Sequence, residues 1–426
     1  MHVLVTGASG FLGGHIAEAL SAAGHQVVAA SRRGHARHGR ALRLDFAALR
    51  TPDQWTPHLQ GIDAVVNAAG ILRERGTQSY EAVHVAAPRA LFDACVRSGV
   101  RRVVQVSALG ADPDATTGYH RSKREADDHL LSLPLRAAVV QPSLVYGPGG
   151  ASARMFGAWA TLPVVPLPGR GDQLVQPIHV DDVVLAVLAL LGEAAHTRGR
   201  IAFVGPSPLA FGEFIGELGR ALGQPRAPRL HVPMPLVRAS VAVAAALPWS
   251  LVDTATLSML ERGNHAPATA VTRLLGRPPR RVSAFPGGDP EAARTAAVLA
   301  WALPLLRWSL AAVWIVTGVL SLGIFPVDES LALLARLGLH GVLAQAMLYG
   351  AAVLDLAVGL ALLFAPGLRW LWGLQAAVVG GYTVLISVWL PEFWLHPYGP
   401  ILKNLPLLAA IALLHALEGR RPRWTT

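Results

Sequence analysis

Short apolar runs alternating with amphipathic stretches fill the front of the chain, and long uninterrupted apolar runs fill its end. The first run, Val3-Leu4-Val5-Thr6, enters Gly7-Ala8-Ser9-Gly10-Phe11-Leu12-Gly13 and is followed by a helical stretch with Ile16, Ala17 and Leu20 on one face. Gln26–Ser31, Ala41–Asp45, Asp63–Gly70 and Arg102–Ser107 have the length and apolar content of further strands. A long helix is predicted from about Ser79 to Ser98. Strands and helices alternating at this spacing predict an α/β domain with a doubly wound parallel sheet and right-handed crossovers.

Residues 150–290 are expected to build a smaller substrate lobe, completing a first domain over 1–290. In it, Asp181 or Asp182 is expected to cap the helix that follows, and His179 to be structural. Segment 235–252 reads as a buried or surface-lying helix, cut short by Pro248-Trp249-Ser250. From Arg277-Pro278-Pro279-Arg280-Arg281 to Pro290 the chain turns basic, then rich in proline and glycine, which marks a boundary.

Beyond Ala300 four runs each approach the length that crosses a ~30 Å hydrocarbon layer: Leu303–Phe325, Leu343–Ala365, Trp370–Leu390 and Ile401–Leu417. They predict an all-α four-helix transmembrane domain over 300–420. Arg294, Arg307, Arg369, Arg420, Arg421 and Arg423 read as flanking charges, and Asp328, Glu329, Arg336 and Glu392 fall in the other two loops. The positive-inside rule then places both termini in the cytoplasm, giving a multi-pass protein of a bacterial-type inner (cell) membrane. Trp308, Trp370, Trp372, Trp389 and Trp394 are expected as interfacial anchors. Asp355 is expected to face the bundle interior, and Lys403 to pair with Glu392 or a polar headgroup near His396 and Asn404.

The 426 residues are 52% hydrophobic and 15% charged, too apolar for an ordinary soluble protein. The net charge of +10 is carried almost wholly by arginine in short clusters without interleaved aromatics, which argues against nucleic acid. The single cysteine, Cys95, excludes a disulfide framework and a thiolate metal site, and reads as a core residue. No leader is expected ahead of the first strand.

The glycine turn carries the first chemistry. Gly7 permits a tight turn, Gly10 close approach of a pyrophosphate, and Gly13 close packing of helix on sheet, while the helix N-terminus favours phosphate. Arg32-Arg33 stand after Ser31, where a ribose-reading carboxylate would otherwise lie, and favour the 2′-phosphate of NADP, with NAD as second choice. Asp45 ends the third strand near the adenine position, and Asn67-Ala68-Ala69-Gly70 ends the fourth in residues that allow cofactor approach. Tyr119 and Lys123, four apart, share a helical face. An ammonium beside a phenol should draw its proton affinity down toward neutrality, and Ser107, at the sheet's carboxyl edge, could orient a substrate oxygen.

Thr6-Gly-x-x-Gly-x-x-Gly13, Asn67–Gly70, Ser107, Tyr119-x-x-x-Lys123, Pro142–Pro148 and Pro177–Val183 together resemble the extended and atypical short-chain dehydrogenase/reductases, which are NAD-dependent epimerase/dehydratase-like. The short gap from Ser107 to Tyr119 is similar to the branch containing the nucleotide-binding accessory subunit of respiratory complex I. The resemblance implies a Rossmann-like domain in which Tyr119 is the acid–base, Lys123 holds the nicotinamide ribose and Ser107 polarises a carbonyl. It also implies that the glycines cradle the pyrophosphate, Asp45 faces adenine, and Thr6, Ser9, Phe11, Leu12 and Pro142 complete the cofactor site. Gln141 departs from the arginine common at this position, which puts sugar nucleotides in doubt and ranks epimerase-type chemistry last. His396-Pro-x-Gly-Pro-x-x-Lys-Asn404 resembles the DoxX-like membrane family. The expected function is a membrane-anchored NADP-dependent oxidoreductase acting on a carbonyl or alcohol of a hydrophobic small molecule. The alternative is a non-catalytic NADPH-binding structural or sensing subunit. A lipid bilayer, and a membrane complex or homo-oligomer, are the expected partners.

Overall fold

The first apolar run forms β1 (His2–Thr6), buried from Val3 onward. Val3 and Val5 enter one apolar layer and Leu4 the opposite one, the alternation that places a strand at the centre of a two-faced sheet. The computed structural model describes residues 1–192, 198–224, 226–245, 253–365, 367–397 and 399–418. These form two compact units, Met1–Val298 and Leu299–Thr426.

In the first unit, β2 (Gln26–Ser31), β3 (Arg40–Arg43), β4 (Ala64–Asn67), β5 (Arg102–Val106), β6 (Arg136–Pro142) and β7 (Gly199–Phe203) join β1. The seven-stranded sheet has the order β7-β6-β5-β4-β1-β2-β3, and every pairing is parallel. The order reverses between β1 and β4, the place where open sheets of this kind leave a crevice at their carboxyl ends. The predicted long helix is present but opens with a wide π-helical turn, Glu81–Ala86, before Ala87–Arg97. Cys95 lies on the buried face of Ala87–Arg97.

Residues 150–290 do not all belong to a lobe: Val180–Leu191 and β7 return to the main sheet. The lobe's own core gathers Phe156, Leu167, Phe211, Phe214, Val282 and Phe285. Neither aspartate caps the Val180 helix. His179 does, its ring accepting from the Asp181 amide at 3.3 Å, and the aspartates turn to arginines. Asp182, fully buried, accepts from Arg277 at 2.6 Å and from the Arg280 amide at 2.7 Å, and Asp181 pairs with Arg280. Part of segment 235–252 forms the helix Met234–Ala245; Pro248-Trp249-Ser250 lie outside the described residues.

Among the described residues the second unit has three helices long and apolar enough to cross a membrane, Pro290–Ile324, which begins in the first unit, Gly341–Phe364 and Arg369–Trp389. The fourth predicted span is described as the apolar helix Asn404–Glu418, up to the last described residue. Pro406 lies in its first turn, where proline costs least. Asp328 and Glu329 open a further helix, Val327–Arg336, where a loop was expected. Arg307 is no flanking charge: it donates to the Leu362 carbonyl at 2.7 Å and to Glu418 at 2.8 Å, with its guanidinium 5.6 Å from the Trp372 ring. Trp372 is accordingly buried, unlike Trp308, Trp370, Trp389 and Trp394. Glu392 pairs with Arg336 at 2.5 Å rather than with Lys403, and Asn404 donates to Thr383 at 2.8 Å. Asp355 is buried inside the bundle. Arg420, Arg421 and Arg423 lie outside the described residues.

Candidate functional site

The glycine turn is built to leave no room for side chains. A Cβ on Gly7 would lie 2.7 Å from the Ala68 carbonyl oxygen, and one on Gly13 would lie 2.3 Å from that of Gly7. Gly7 also has φ +67°, which favours glycine. Gly10 is the N-cap of helix Phe11–Ala22 and offers no side-chain acceptor, so the first-turn amides lack a side-chain cap and suit an anion. A cleft opens here, walled by Thr6, Gly7, Ser9 and Gly10 from the turn, Ser31 and Arg32 after β2, Leu44 and Phe46 after β3, and Ala68, Ala69 and Gly70 after β4. Its shape and backbone donors fit a dinucleotide.

Several expected residues stand outside that wall. Asp45, between Leu44 and Phe46, is exposed, and so is Arg33. Asn67 is fully buried and spends its amide within the sheet: its oxygen accepts from Thr6 at 2.5 Å and its nitrogen donates to Gln105 at 2.7 Å. It braces the loop that carries Ala68–Gly70. Phe11 packs toward Gly147 and Gly150, and Pro142 ends β6 with its carbonyl accepting from Leu109.

Tyr119 and Lys123 ride on helix Gly118–Ser132, capped by Thr117, whose side chain accepts from the His120 amide. Lys123 is buried, and its Nζ donates to the Val106 carbonyl at the end of β5, 3.0 Å away. One turn on, Asp127 is fully buried, accepts the Ser107 hydroxyl, and keeps its other oxygen without a hydrogen-bond partner among the described residues. Ser107 therefore does not present a free proton to the cleft as expected. Burial pulls the Lys123 ammonium down and pushes the Asp127 carboxyl up, while their mutual attraction opposes both shifts. Asp127 escaped the sequence reading, although Tyr119-x-x-x-Lys123-x-x-x-Asp127 puts all three on one helical face.

The expected softening of the phenol is reversed. Burial, reinforced by Tyr80 and the Asp127 carboxyl, pushes Tyr119 up to about 12. The ammonium that should have lowered it is spent on Val106 and Asp127. Three rings surround the phenol edge-on: Tyr80, His84 and His120, with centroids 6.1, 5.4 and 5.4 Å away.

His84, also missed, links the two halves of the site. Its Nε2 accepts from the Ile71 amide at 3.0 Å, and its Nδ1 lies 3.0 Å from the Ser122 hydroxyl, which itself donates to the Tyr119 carbonyl. Only the neutral ring with its proton on Nδ1 satisfies both contacts. Burial, helped by Lys123, lowers its pKa from 6.5 to about 2. The unfolded chain takes up this proton near pH 6.5 and the folded one does not. The stability held here is thus complete above that pH and lost as pH falls below it, by ~1.4 kcal/mol per pH unit. Thermal melts at about pH 7.5 and about pH 5.5 should show a smaller acid-induced drop in Tm for His84→Gln than for the parent.

On the lobe side, Arg262 grips the loop after β5. It makes bonds of 2.7 and 2.8 Å to the Asp112 carboxylate and one of 3.1 Å to the Gly110 carbonyl. Gln141 is buried and donates to the Ala111 carbonyl at 3.1 Å.

Comparison with known proteins agrees with this geometry. Residues 3–205 match the NAD dependent epimerase/dehydratase family, and residues 311–412 match the DoxX-like family. The chain joins an NAD-dependent epimerase/dehydratase domain to a C-terminal DoxX-like domain. Ceramide reductase of Caulobacter vibrioides is 29% identical over 191 residues, covering 44% of this chain and 60% of the relative. The mitochondrial NADH dehydrogenase [ubiquinone] 1 alpha subcomplex subunit 9 of Mus musculus is 29% identical over 213 residues, covering 48% and 56%. The chain thus spans little more than half the length of these curated relatives. Among solved structures, MoeE5 in complex with UDP-glucuronic acid and NAD aligns with a TM-score of 0.52 at 25% identity, covering 70% of this chain and 98% of that one. The epimerase/dehydratase domain uses a nicotinamide dinucleotide, and the DoxX-like domain with its apolar helices makes this a membrane protein.

Proposed function

We propose that the protein is an NADP-dependent oxidoreductase that moves hydride to or from a carbonyl or alcohol carbon of a hydrophobic small molecule, with Tyr119 as the acid–base group. The observation that carries this reading is the meeting of the nucleotide cleft with the Tyr119–Lys123 helix. Gly70 walls the cleft, and a Cβ placed on it would lie 3.1 Å from Lys123 Nζ. When bound there, the nicotinamide ring supplies or accepts the hydride. The chain's part is to orient and to handle the proton. Lys123, anchored on Val106, is placed to hold the nicotinamide ribose; Asp127 and Ser107 fix that lysine's environment; and Tyr119, pushed up to about 12, stays protonated at neutral pH. A protonated phenol suits donation to a carbonyl oxygen, the proton transfer that reduction asks of it.

Arg32 in the cleft wall supports NADP over NAD. The membrane helices and the similarity to a ceramide reductase support a lipid-like carbonyl. Arg294 and Arg369 support a cytoplasmic nucleotide domain. The engaged Ser107 hydroxyl favours the second reading, a subunit that binds NADPH without turnover. The deciding experiment supplies the full-length protein in lipid nanodiscs with a long-chain ketone and either NADPH or NADH. The oxidoreductase reading expects NADPH oxidation with alcohol formation, and a preference for NADPH that shrinks by ten-fold or more (about 1.4 kcal/mol) in Arg32→Glu. Tight NADPH binding without oxidation across a ketone panel would establish the second reading.

A further inference from the structure

The lobe carries one helix that water alone does not explain. Met234–Ala245 has twelve residues, of which only Val241 is buried. Its exposed side chains are apolar: Leu236 is 61% and Val243 71% exposed, and Leu230 on the strand just before it is 56% exposed. A twelve-residue helix has little stability of its own in water. Its neighbour Thr254–Arg262 likewise buries a single residue, Leu257, and Arg238 donates to Glu261 across the pair at 2.9 Å. An apolar surface of this kind marks a place of contact.

Charge says what the contact is. From Gln224 to Val252 the sequence holds no aspartate or glutamate, whereas Arg226, Arg229, His231 and Arg238 accompany the apolar positions. A helix with leucine and valine outward, in a stretch whose charged residues are all basic, suits an interfacial contact, whose apolar side sinks ~5–10 Å into the headgroup boundary; Arg238 also pairs with Glu261, and Arg229 lies against Gly212 and Gly216. The same chain carries, among its described residues, three helices able to cross a bilayer, so a lipid surface is a partner this protein already has.

We infer that Met234–Ala245, with Leu230 beside it, is a second and peripheral membrane contact, lying in the headgroup layer of an anionic bilayer. Met234, at its start, also walls a pocket with Leu174, Arg262 and His265, so the contact brings that opening to the lipid boundary. The inference does not depend on the proposed reaction.

Cys95 is buried and is the only cysteine, which allows single-site spin labelling of the full chain. Leu236→Cys and Val243→Cys, with Gln60→Cys as the exposed control, would be labelled in phosphatidylcholine/phosphatidylglycerol nanodiscs, using only variants that keep the parent's Tm. Collision with oxygen, which enters lipid, is compared with collision with a nickel chelate, which stays in water. The expected result is an oxygen-to-chelate ratio several-fold higher at 236 and 243 than at 60, falling when phosphatidylglycerol is omitted. Free access of the chelate to 236 and 243 would overturn the inference. Protection from both probes would overturn it as well, and would show that a second copy or another part of the chain covers the helix.

Discussion

Tyr119→Phe is expected to lower NADPH-dependent turnover by roughly 10²–10⁴-fold, the usual worth of a positioned acid–base group. Binding of NADPH should change little. The substitution keeps the ring, and the ring is what packs edge-on against Tyr80, His84 and His120, so the Tm should match the parent's within about 2 °C, the shift of a fraction of a kcal/mol. The protein is silent as an alkaline switch in this respect: a phenol at about 12 does not ionise in the working range. Any alkaline fall in activity should follow from deprotonation within the Lys123–Asp127 pair instead. Single-turnover rates and NADPH titrations on the two proteins check both halves. Equal turnover would remove Tyr119 from the chemistry while leaving the cleft intact.

Gly13→Ala should have the largest effect on the cofactor itself. The added methyl would stand 2.3 Å from the Gly7 carbonyl oxygen and 2.8 Å from its carbon. Both belong to backbone, with no flexible side chain to give way. Relief requires the helix Phe11–Ala22 to lift from the turn, at a cost at or above the ~1–3 kcal/mol typical of overpacking. Lifting also moves the first-turn amides away from the pyrophosphate position. The expected outcome is a lower apparent Tm and loss of most of the stabilisation that NADPH confers on the parent. Gly24→Ala is the control: its φ of +81° imposes backbone strain, but nothing lies within 4 Å of the new Cβ. It should cost only ~1 kcal/mol and leave NADPH binding unchanged.

The parts of the fold legible in the sequence are those whose signals are local. β1, the glycine turn and the next helix announce themselves within 22 residues of the amino terminus, and the Tyr119–Lys123 spacing fits on one turn of helix. β6 and β7 have no such local signal: their place in the sheet is decided by pairing, β6 with β5 and β7 with β6. Asp182 illustrates the same limit: its partners Arg277 and Arg280 lie 95 and 98 residues away. The apolar run at Ile401–Leu417 reads as helix from its first residue, whereas the helix begins at Asn404, a boundary that hydrophobicity alone does not mark. At the site, residue identity was readable and hydrogen-bond commitment was not. Ser107 reads as a free hydroxyl until Asp127 is seen to accept from it, and Lys123 reads as a free ammonium until Val106 is seen to hold it.

The two arginine clasps described above differ in shelter. Arg262 and Asp112 are 30% and 40% exposed, whereas the Asp182 side chain that receives Arg277 is 0% exposed. Dissolved ions screen the first far more than the second. Rising ionic strength should therefore loosen the Arg262–Asp112 pair, and with it the hold on the loop after β5, well before it reaches the buried carboxylate of Asp182.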